Sequence, residues 1–302
     1  MTLIVGYAPD ERGKAALHLA GMLARSASDD LVVASVIPAP WIPGMAKVDS
    51  EYRQFLDATA DDALARARDN LPGDLPATFV RHSARSAPVG LLELAELNEA
   101  NIIVLGSSTH GSFGHIALGS VTDRLVHSSP VSLALAPRGY RARQGQKVTR
   151  ATASYGGSQS ADLLVVAAAG VAASVAATMR IASFAVWERP AYTTRLGTDP
   201  EDDVLEQWTD TMEQAASKAM ETVEGLSPAP SVETVIGRGR NWADALDDIA
   251  WEPGDVLVVG SSDLGPVAQV FLGSRATKIL RHSPVPVIVV PRSRSEELVA
   301  HA

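Results

Sequence analysis

Residues Ile102–Arg138 decide the fold of this chain; they read IIVLGSSTHGSFGHIALGSVTDRLVHSSPVSLALAPR. The stretch begins with four apolar residues in a row, Ile102 to Leu105, which is typical of a strand buried on both faces of a parallel sheet. A loop rich in glycine and hydroxyl side chains follows. Ser120 then has the position of a helix N-cap, and Asp123 three residues later predicts a capping box. A second apolar strand, Val131–Ala136, completes the stretch.

The same pattern returns 154 residues later, without a gap, as VLVVGSSDLGPVAQVFLGSRATKILRHSPVPVIVVPR over Val256–Arg292. Two short segments match most closely in the two copies: Gly106-Ser107-Ser108 with Gly260-Ser261-Ser262, and Leu118-Gly119-Ser120 with Leu272-Gly273-Ser274. A match that stays in register over this length indicates an internal duplication. We therefore predict two domains, residues 1–140 and 148–295, in agreement with the length of 302 residues.

Composition restricts the function further. A net charge of −9 argues against nucleic-acid binding, which needs a concentrated basic face. The absence of cysteine excludes disulfides, zinc-thiolate sites and thiol nucleophiles. The longest apolar run, residues 162–178, consists mostly of alanine and is too short for a spanning helix, so a buried helix is expected there. With no secretory signal at the start, we expect a cytoplasmic protein without a membrane segment.

Strand and helix patterns alternate through both halves, with five apolar strands and four helices in the first. This order predicts an α/β fold with a mainly parallel sheet and helices on both faces. Ligands of such folds bind beyond the carboxyl ends of the strands, where the strand order reverses. The loop after Leu105 would point to that crevice.

The glycine loops admit two interpretations. Gly106 and Gly260 end strands and could let a ligand approach the backbone or adopt positive φ. Gly119-Ser120 and Gly273-Ser274 begin helices, whose free N–H groups attract anions. A purely structural role in tight turns and capping explains the same residues equally well. Neither a P-loop, a dinucleotide fingerprint, a nucleophile elbow nor a catalytic or metal-spaced cluster is present in the sequence.

The chain at this point resembles the universal stress proteins. Their nucleotide loop has a glycine, two residues, a second glycine, nine residues, and then glycine followed by serine or threonine. Both copies match its outer members, and the resemblance extends to the first strand and helix of each half. It implies two tandem Rossmann-like (adenine nucleotide alpha hydrolase-like) domains, each with a five-stranded sheet, and an adenine nucleotide such as ATP as cofactor. The implied binding residues are Gly106, Ser107, Thr109, Gly119, Ser120, Gly260, Ser261, Asp263, Gly273 and Ser274.

Two departures from the family pattern weaken a conventional ATP site. The middle glycine is replaced by Thr109 and Asp263, and if that position requires positive φ, threonine is poorly suited to it. A carboxylate at Asp263 would also repel a phosphate. ATP-binding members usually place an aspartate at the end of the first strand, where this chain has Ala8 and Gly156.

Three functions remain open. The first is a stress-response module with a degenerate adenine-nucleotide site. The second is a nucleotide-independent scaffold that acts through partner proteins, in which the two halves pair as a built-in dimer through their apolar last strands and two chains could associate further. A slow ATPase has the least support, and we expect a protein that is not an enzyme. His110, His115, Arg238 and Arg240 could assist an anion, although solvent-facing roles are more common for such residues.

Overall fold

The computed structural model describes residues 2–39, 46–187, 199–261, 270, 272–293 and 295–296. The first half contains these elements in chain order: β1 (Thr2–Gly6), α1 (Glu11–Ala27), β2 (Asp30–Pro38), α2 (Ala46–Asn70), β3 (Ala77–Ala84), α3 (Ala87–Leu97), β4 (Ile102–Gly106), α4 (Ser120–Leu125) and β5 (Ser132–Ala136). The second half repeats them: β6 (Arg150–Ser154), α5 (Gln159–Ser174), β7 (Thr178–Val186), α6 (Asp199–Glu224), β8 (Val232–Gly239), α7 (Trp242–Asp247), β9 (Asp255–Gly260), α8 (Ser274–His282) and β10 (Val287–Val290). The predicted alternation of strands and helices, and the predicted duplication, are confirmed.

The strands of the two halves form one sheet in the order β3-β2-β1-β4-β5-β10-β9-β6-β7-β8. Pairing within each half is parallel, whereas β5 and β10 pair antiparallel, with Val287 opposite Leu135 and Val289 opposite Leu133. The two sheets expected from the sequence are thus joined at their last strands. The strand order reverses between β1 and β4 in the first half and between β6 and β9 in the second, which is where a ligand crevice is expected.

Helices cover both faces of this sheet, as predicted. One apolar layer contains buried side chains of α1, α2, α5 and α6, represented by Leu17, Leu64, Val165 and Val223. The opposite layer contains side chains of α3, α4, α7 and α8, represented by Leu91, Leu125, Leu246 and Leu280. Successive strand residues alternate between the layers, because a strand directs neighbouring side chains to opposite faces. Each layer includes residues of both halves, so the core continues across the β5–β10 contact.

The apolar run over residues 162–178 forms most of α5 and then enters β7. Leu164 and Val165 are buried in this helix, in agreement with the expectation of a buried helix. No helix within the described part of the chain has the length and apolar character needed to cross a bilayer.

The segment that joins the two halves, residues 137–149, packs against α1. The Arg141 guanidinium lies 2.5 Å from the Glu11 carboxylate, and the Val148 N–H donates to the Ser26 hydroxyl at 2.8 Å. Tyr140 donates its hydroxyl to the Met22 sulfur at 3.2 Å. The segment is therefore an ordered connection held on α1.

Candidate functional site

A cavity of about 690 Å³ opens at the carboxyl ends of β6, β7 and β9, at the strand-order reversal of the second half. We call it the second-half cavity. Its walls include four residues that the sequence predicts for a binding site: Gly260, Ser261, Gly273 and Ser274. Its volume is typical of small-molecule sites in proteins. The geometry thus brings together, in one crevice, the end of a central strand and the start of a helix.

Aromatic side chains line the other side of the second-half cavity. Phe184 and Trp187 come from the end of β7, Trp208 from α6 and Trp242 from the start of α7. The Phe184 and Trp242 rings lie 6.3 Å apart between centroids, in a tilted arrangement. Flat apolar surfaces of this kind stack well on heterocyclic bases. The sequence reasoning missed these residues because they lie far from the glycine loops along the chain.

The polar wall of the second-half cavity is formed by the first turns of two helices. Gly273 is the N-cap of α8 and supplies no side-chain cap, and Ser274 is its first residue. Ser158 caps α5, its hydroxyl accepting from the Ala161 N–H at 3.3 Å. Because the first N–H groups of a helix lack partners within the helix and lie at its positive end, the start of α8 favours an anion in the cavity, whereas the start of α5 already carries the Asp162 carboxylate.

Tyr155 connects the end of β6 to α5 at the polar wall of the second-half cavity. Its hydroxyl donates to Asp162 Oδ1 at 2.8 Å, and its carbonyl accepts from the Ser183 hydroxyl at 3.1 Å. Burial, followed by the hydrogen bond to Asp162, raises the pKa of the Tyr155 phenol to about 12. The phenol is therefore neutral at physiological pH and acts as a donor that holds α5 on the end of β6.

The equivalent region of the first half is packed differently. Gly13, in the first turn of α1, approaches the end of β1 so closely that a Cβ there would overlap the Ala8 carbonyl oxygen. As a result the backbone of Arg12 lies against Gly106, with its carbonyl carbon 2.7 Å from the position a Gly106 Cβ would take. The second half has Ala161 where the first has Gly13. Around Gly260 the nearest atom to such a Cβ is 3.4 Å away.

The first-half loop also satisfies its own polar groups. The Ser107 hydroxyl accepts from the Ala117 N–H at 2.8 Å, and the Ser108 N–H donates to the Ala117 carbonyl at 2.8 Å. The guanidinium of Arg138 donates to the Gly111 carbonyl at 2.5 Å. The loop is thus closed by internal hydrogen bonds, and Gly106 lies against α1, which agrees with the structural one of the two interpretations of this glycine.

The capping box predicted for the first-half loop is wrong, and the condition attached to Thr109 is not met. The N-cap of α4 is Gly119, and Ser120 is the first helical residue, so Ser120 and Asp123 form no capping box. Thr109 is exposed and does not adopt positive φ, so the conformational objection to a β-branched residue at this position does not apply. A glycine cap followed by serine leaves the first N–H groups of the helix without a side-chain acceptor.

The remaining predicted residues do not line the second-half cavity or lie outside the described part of the chain. Asp263 belongs to residues 262–269, which lie outside the described part of the chain. Arg238 and Arg240 are exposed and do not line the cavity; the Arg238 guanidinium lies 3.5 Å from Glu213. His110 is exposed beside the Ser108 hydroxyl, at 3.3 Å. Among the described residues there is no group of three or more histidine, cysteine, aspartate or glutamate residues that could hold a metal ion.

Comparison with known proteins agrees with the duplicated fold. A model of the universal stress protein family matches residues 1–137 and again residues 149–291. The chain belongs to the universal stress protein family. This universal stress protein is 37% identical over 300 residues to full-length universal stress proteins of Mycobacterium tuberculosis and Mycobacterium bovis, covering 96% of this chain and 100% of each relative.

Solved structures share the fold of this universal stress protein over nearly its whole length. A universal stress protein from Archaeoglobus fulgidus superposes with a TM-score of 0.58 at 18% identity, covering 96% of this chain and 98% of that chain. A putative universal stress protein from Pseudomonas aeruginosa gives a TM-score of 0.52 at 13% identity, covering 99% and 96%. The tandem arrangement is therefore found in other members.

Proposed function

We propose that this universal stress protein is a stress-response module that binds an adenine nucleotide in its second half only. The observation that carries this proposal is the second-half cavity, in which Gly260, Ser261, Gly273 and Ser274 meet three tryptophan side chains. A base stacked on an aromatic side chain gains about 1–3 kcal/mol. The start of α8 provides N–H groups for a phosphate. The aromatic side chains thus suit the base of a nucleotide, and the start of α8 suits its phosphate.

In this proposal the first half is a structural partner of the site. Its packing supports such a role, since the Arg12 backbone fills the space beside Gly106 and the loop after Gly106 closes on itself through Ser107 and Ser108. The six residues of α4 also make a shorter helix than the nine of α8, so fewer aligned peptide dipoles face an anion there.

We propose a binding role and no catalysis. A phosphate-releasing enzyme needs a positioned base or metal, and Tyr155, the titratable group at the cavity for which a pKa shift is resolved, remains protonated at physiological pH because its pKa is about 12. The ATPase alternative predicts phosphate release that depends on Ser274. A cytoplasmic location, with no nucleic-acid or membrane partner, completes the proposal.

Ser274→Asp tests the nucleotide site. A carboxylate about 4 Å from a phosphate raises the free energy of binding by roughly 1 kcal/mol in water and roughly 4 kcal/mol near a protein surface, so affinity should fall at least about fivefold. Aspartate in the first turn of a helix stabilises that helix by about 0.3–1 kcal/mol, so the variant should remain folded. Calorimetric titration with AMP, ADP and ATP measures the change.

Ser120→Asp is the matched control, since Ser120 has the same position at the start of α4. It should leave nucleotide affinity within about twofold of the parent protein. Equal losses in both variants would show that the effect is not local to the second half. If the unaltered protein binds none of the three nucleotides at millimolar concentration, the nucleotide-independent scaffold becomes the better description of the protein.

A further inference from the structure

We propose that the first half holds a second small-molecule site, separate from the second-half cavity, which takes a small monocarboxylic acid with an apolar body. The site is a cavity of about 490 Å³ between α1 (residues 17–25), the turn after α2 (residues 72–74) and the segment that joins the two halves (residues 142–145). We call it the linker cavity. Its volume is within the range of small-molecule sites. None of the residues assigned to the nucleotide belongs to it.

Arg25, in the last turn of α1, supplies the main polar contact for a ligand. Its side chain is only 9% exposed, and it binds both oxygens of Asp74, with Nε donating at 2.7 Å and Nη2 at 2.9 Å. Its third nitrogen, Nη1, makes no hydrogen bond to any residue that the structure describes. Nη1 lies 3.4 Å from the position that a Cβ on Gly21 would occupy, and both residues line the linker cavity. A ligand there would meet a buried guanidinium that still has N–H groups to donate.

The charges around the linker cavity favour a ligand with a single negative charge. Asp74 is already bound by Arg25, and the exposed Arg143 adds a further positive charge. Burial, followed by the charge of Arg141, lowers the pKa of His18, so its half-buried ring is neutral at physiological pH. One excess cation suits a carboxylate, whereas a doubly charged phosphate would leave a charge without a partner in a partly buried site, which is costly.

The remaining walls suit the apolar part of such a ligand. Leu17 of α1 and Pro72 of the turn after α2 contribute aliphatic surface. The joining segment forms a closed turn, in which the Arg143 N–H donates to Gln146 Oε1 at 2.6 Å and the Gln146 N–H donates to the Arg143 carbonyl at 3.1 Å. Gly145 lies inside this turn with a φ of +70°. Because this wall is ordered before a ligand arrives, little conformational entropy opposes binding.

NMR titration of the full chain with hexanoate and benzoate tests the proposal, with their uncharged amides and inorganic phosphate as comparison ligands. The amides have the same shape without the charge, and phosphate has charge without an apolar body. We expect saturable binding of at least one carboxylate at millimolar concentration, about tenfold or more tightly than its amide or phosphate, the effect of a hydrogen bond to a charged group. A carboxylate near the imidazole should also raise the pKa of His18, which the chemical shifts of its ring protons report.

Arg25→Lys keeps the positive charge and can still pair with Asp74, but it removes the guanidinium N–H groups. It should weaken carboxylate binding about tenfold. Arg81→Lys is the matched control, because Arg81 also pairs with carboxylates of the first half, Asp57 at 3.4 Å and Asp61 at 2.8 Å, and does not line the linker cavity. It should leave the affinity for the carboxylate unchanged.

Arg143→Gln is a second test that leaves the pair of Arg25 and Asp74 intact, because Arg143 is exposed and its side chain is not part of that pair. Loss of one exposed charge should weaken carboxylate binding about two- to fivefold. The proposal is overturned if neither carboxylate binds, if the amides or phosphate bind as tightly, or if Arg25→Lys or Arg143→Gln leaves the affinity unchanged. None of these results affects the proposed nucleotide site, which is tested separately through Ser274→Asp.

Discussion

Replacing Gly106 by alanine should destabilise this protein strongly, whereas the same replacement at Gly260 should not. The two glycines end equivalent central strands, and neither has positive φ, so the comparison isolates the effect of the space around each one. Their surroundings differ because α1 lies directly on Gly106 and α5 stands back from Gly260.

The contacts around each glycine determine how much stability its replacement should cost. A Cβ on Gly106 would overlap the Arg12 carbonyl oxygen and lie 2.7 Å from the Arg12 carbonyl carbon and 2.9 Å from its Cα. These are backbone atoms, so only a shift of the whole helix relieves the contact. Overpacking costs about 1–3 kcal/mol, and we expect a loss of about 3 kcal/mol. A Cβ on Gly260 would lie 3.4 Å from a Leu164 methyl, an ordinary contact. Alanine there should stabilise by about 0.4–1 kcal/mol by restricting the unfolded chain.

Urea unfolding followed by far-UV circular dichroism measures both free energies. In a thermal scan each kcal/mol corresponds to about 2–4 °C for domains of this size. Nucleotide titration supplies a second readout: Gly260→Ala adds a methyl group to the wall of the second-half cavity and should weaken binding without loss of stability. Equal destabilisation by the two variants, or an unchanged free energy of unfolding in Gly106→Ala, would refute the packing argument.

Three further predictions concern other parts of the fold. Asp255→Asn should lower the free energy of unfolding by about 3–5 kcal/mol in urea, because the Asp255 side chain is 1% exposed and binds the Arg150 guanidinium through both oxygens. Tyr140 and Tyr155, whose pKa values burial raises to about 12, should ionise late in a spectrophotometric titration, and Tyr→Phe variants should remove that step. Since folding favours the neutral phenols, stability should fall as the pH rises from 10 towards 12. Residues 1–147 expressed alone should dimerise through the uncovered edge of β5, all of whose residues are buried in the full chain; a monomer in light scattering would contradict this.

The fold class and the duplication were predictable because both depend on patterns that run through the whole sequence. Unbroken apolar runs such as Ile102–Leu105 identify strands buried on two faces, and a repeat of 154 residues without a gap requires two copies of one fold. The pairing of the apolar last strands was one of the expectations from the sequence, whereas its antiparallel register, with Val287 opposite Leu135, needed the structure.

The candidate site was only half predictable. Gly260, Ser261, Gly273 and Ser274 do meet in one cavity, as their positions at strand ends and helix starts suggest. The difference between the halves lies in the distance between helix and strand: the Arg12 backbone lies against Gly106, whereas the nearest atom to a Cβ on Gly260 would be 3.4 Å away. Local patterns cannot supply that distance.

The tryptophans escaped prediction for a different reason. Trp187, Trp208 and Trp242 lie on three separate elements, and only the crossovers of the second half bring them to the same edge of the sheet.

The stoichiometry of nucleotide binding to the full chain tests the central claim most directly. Native mass spectrometry with increasing ADP should show one nucleotide per chain, lost in Ser274→Asp and retained in Ser120→Asp, because the second-half cavity is open and the first-half loop is closed. Two nucleotides per chain, or one that is lost in Ser120→Asp and retained in Ser274→Asp, would contradict the assignment of binding to the second half.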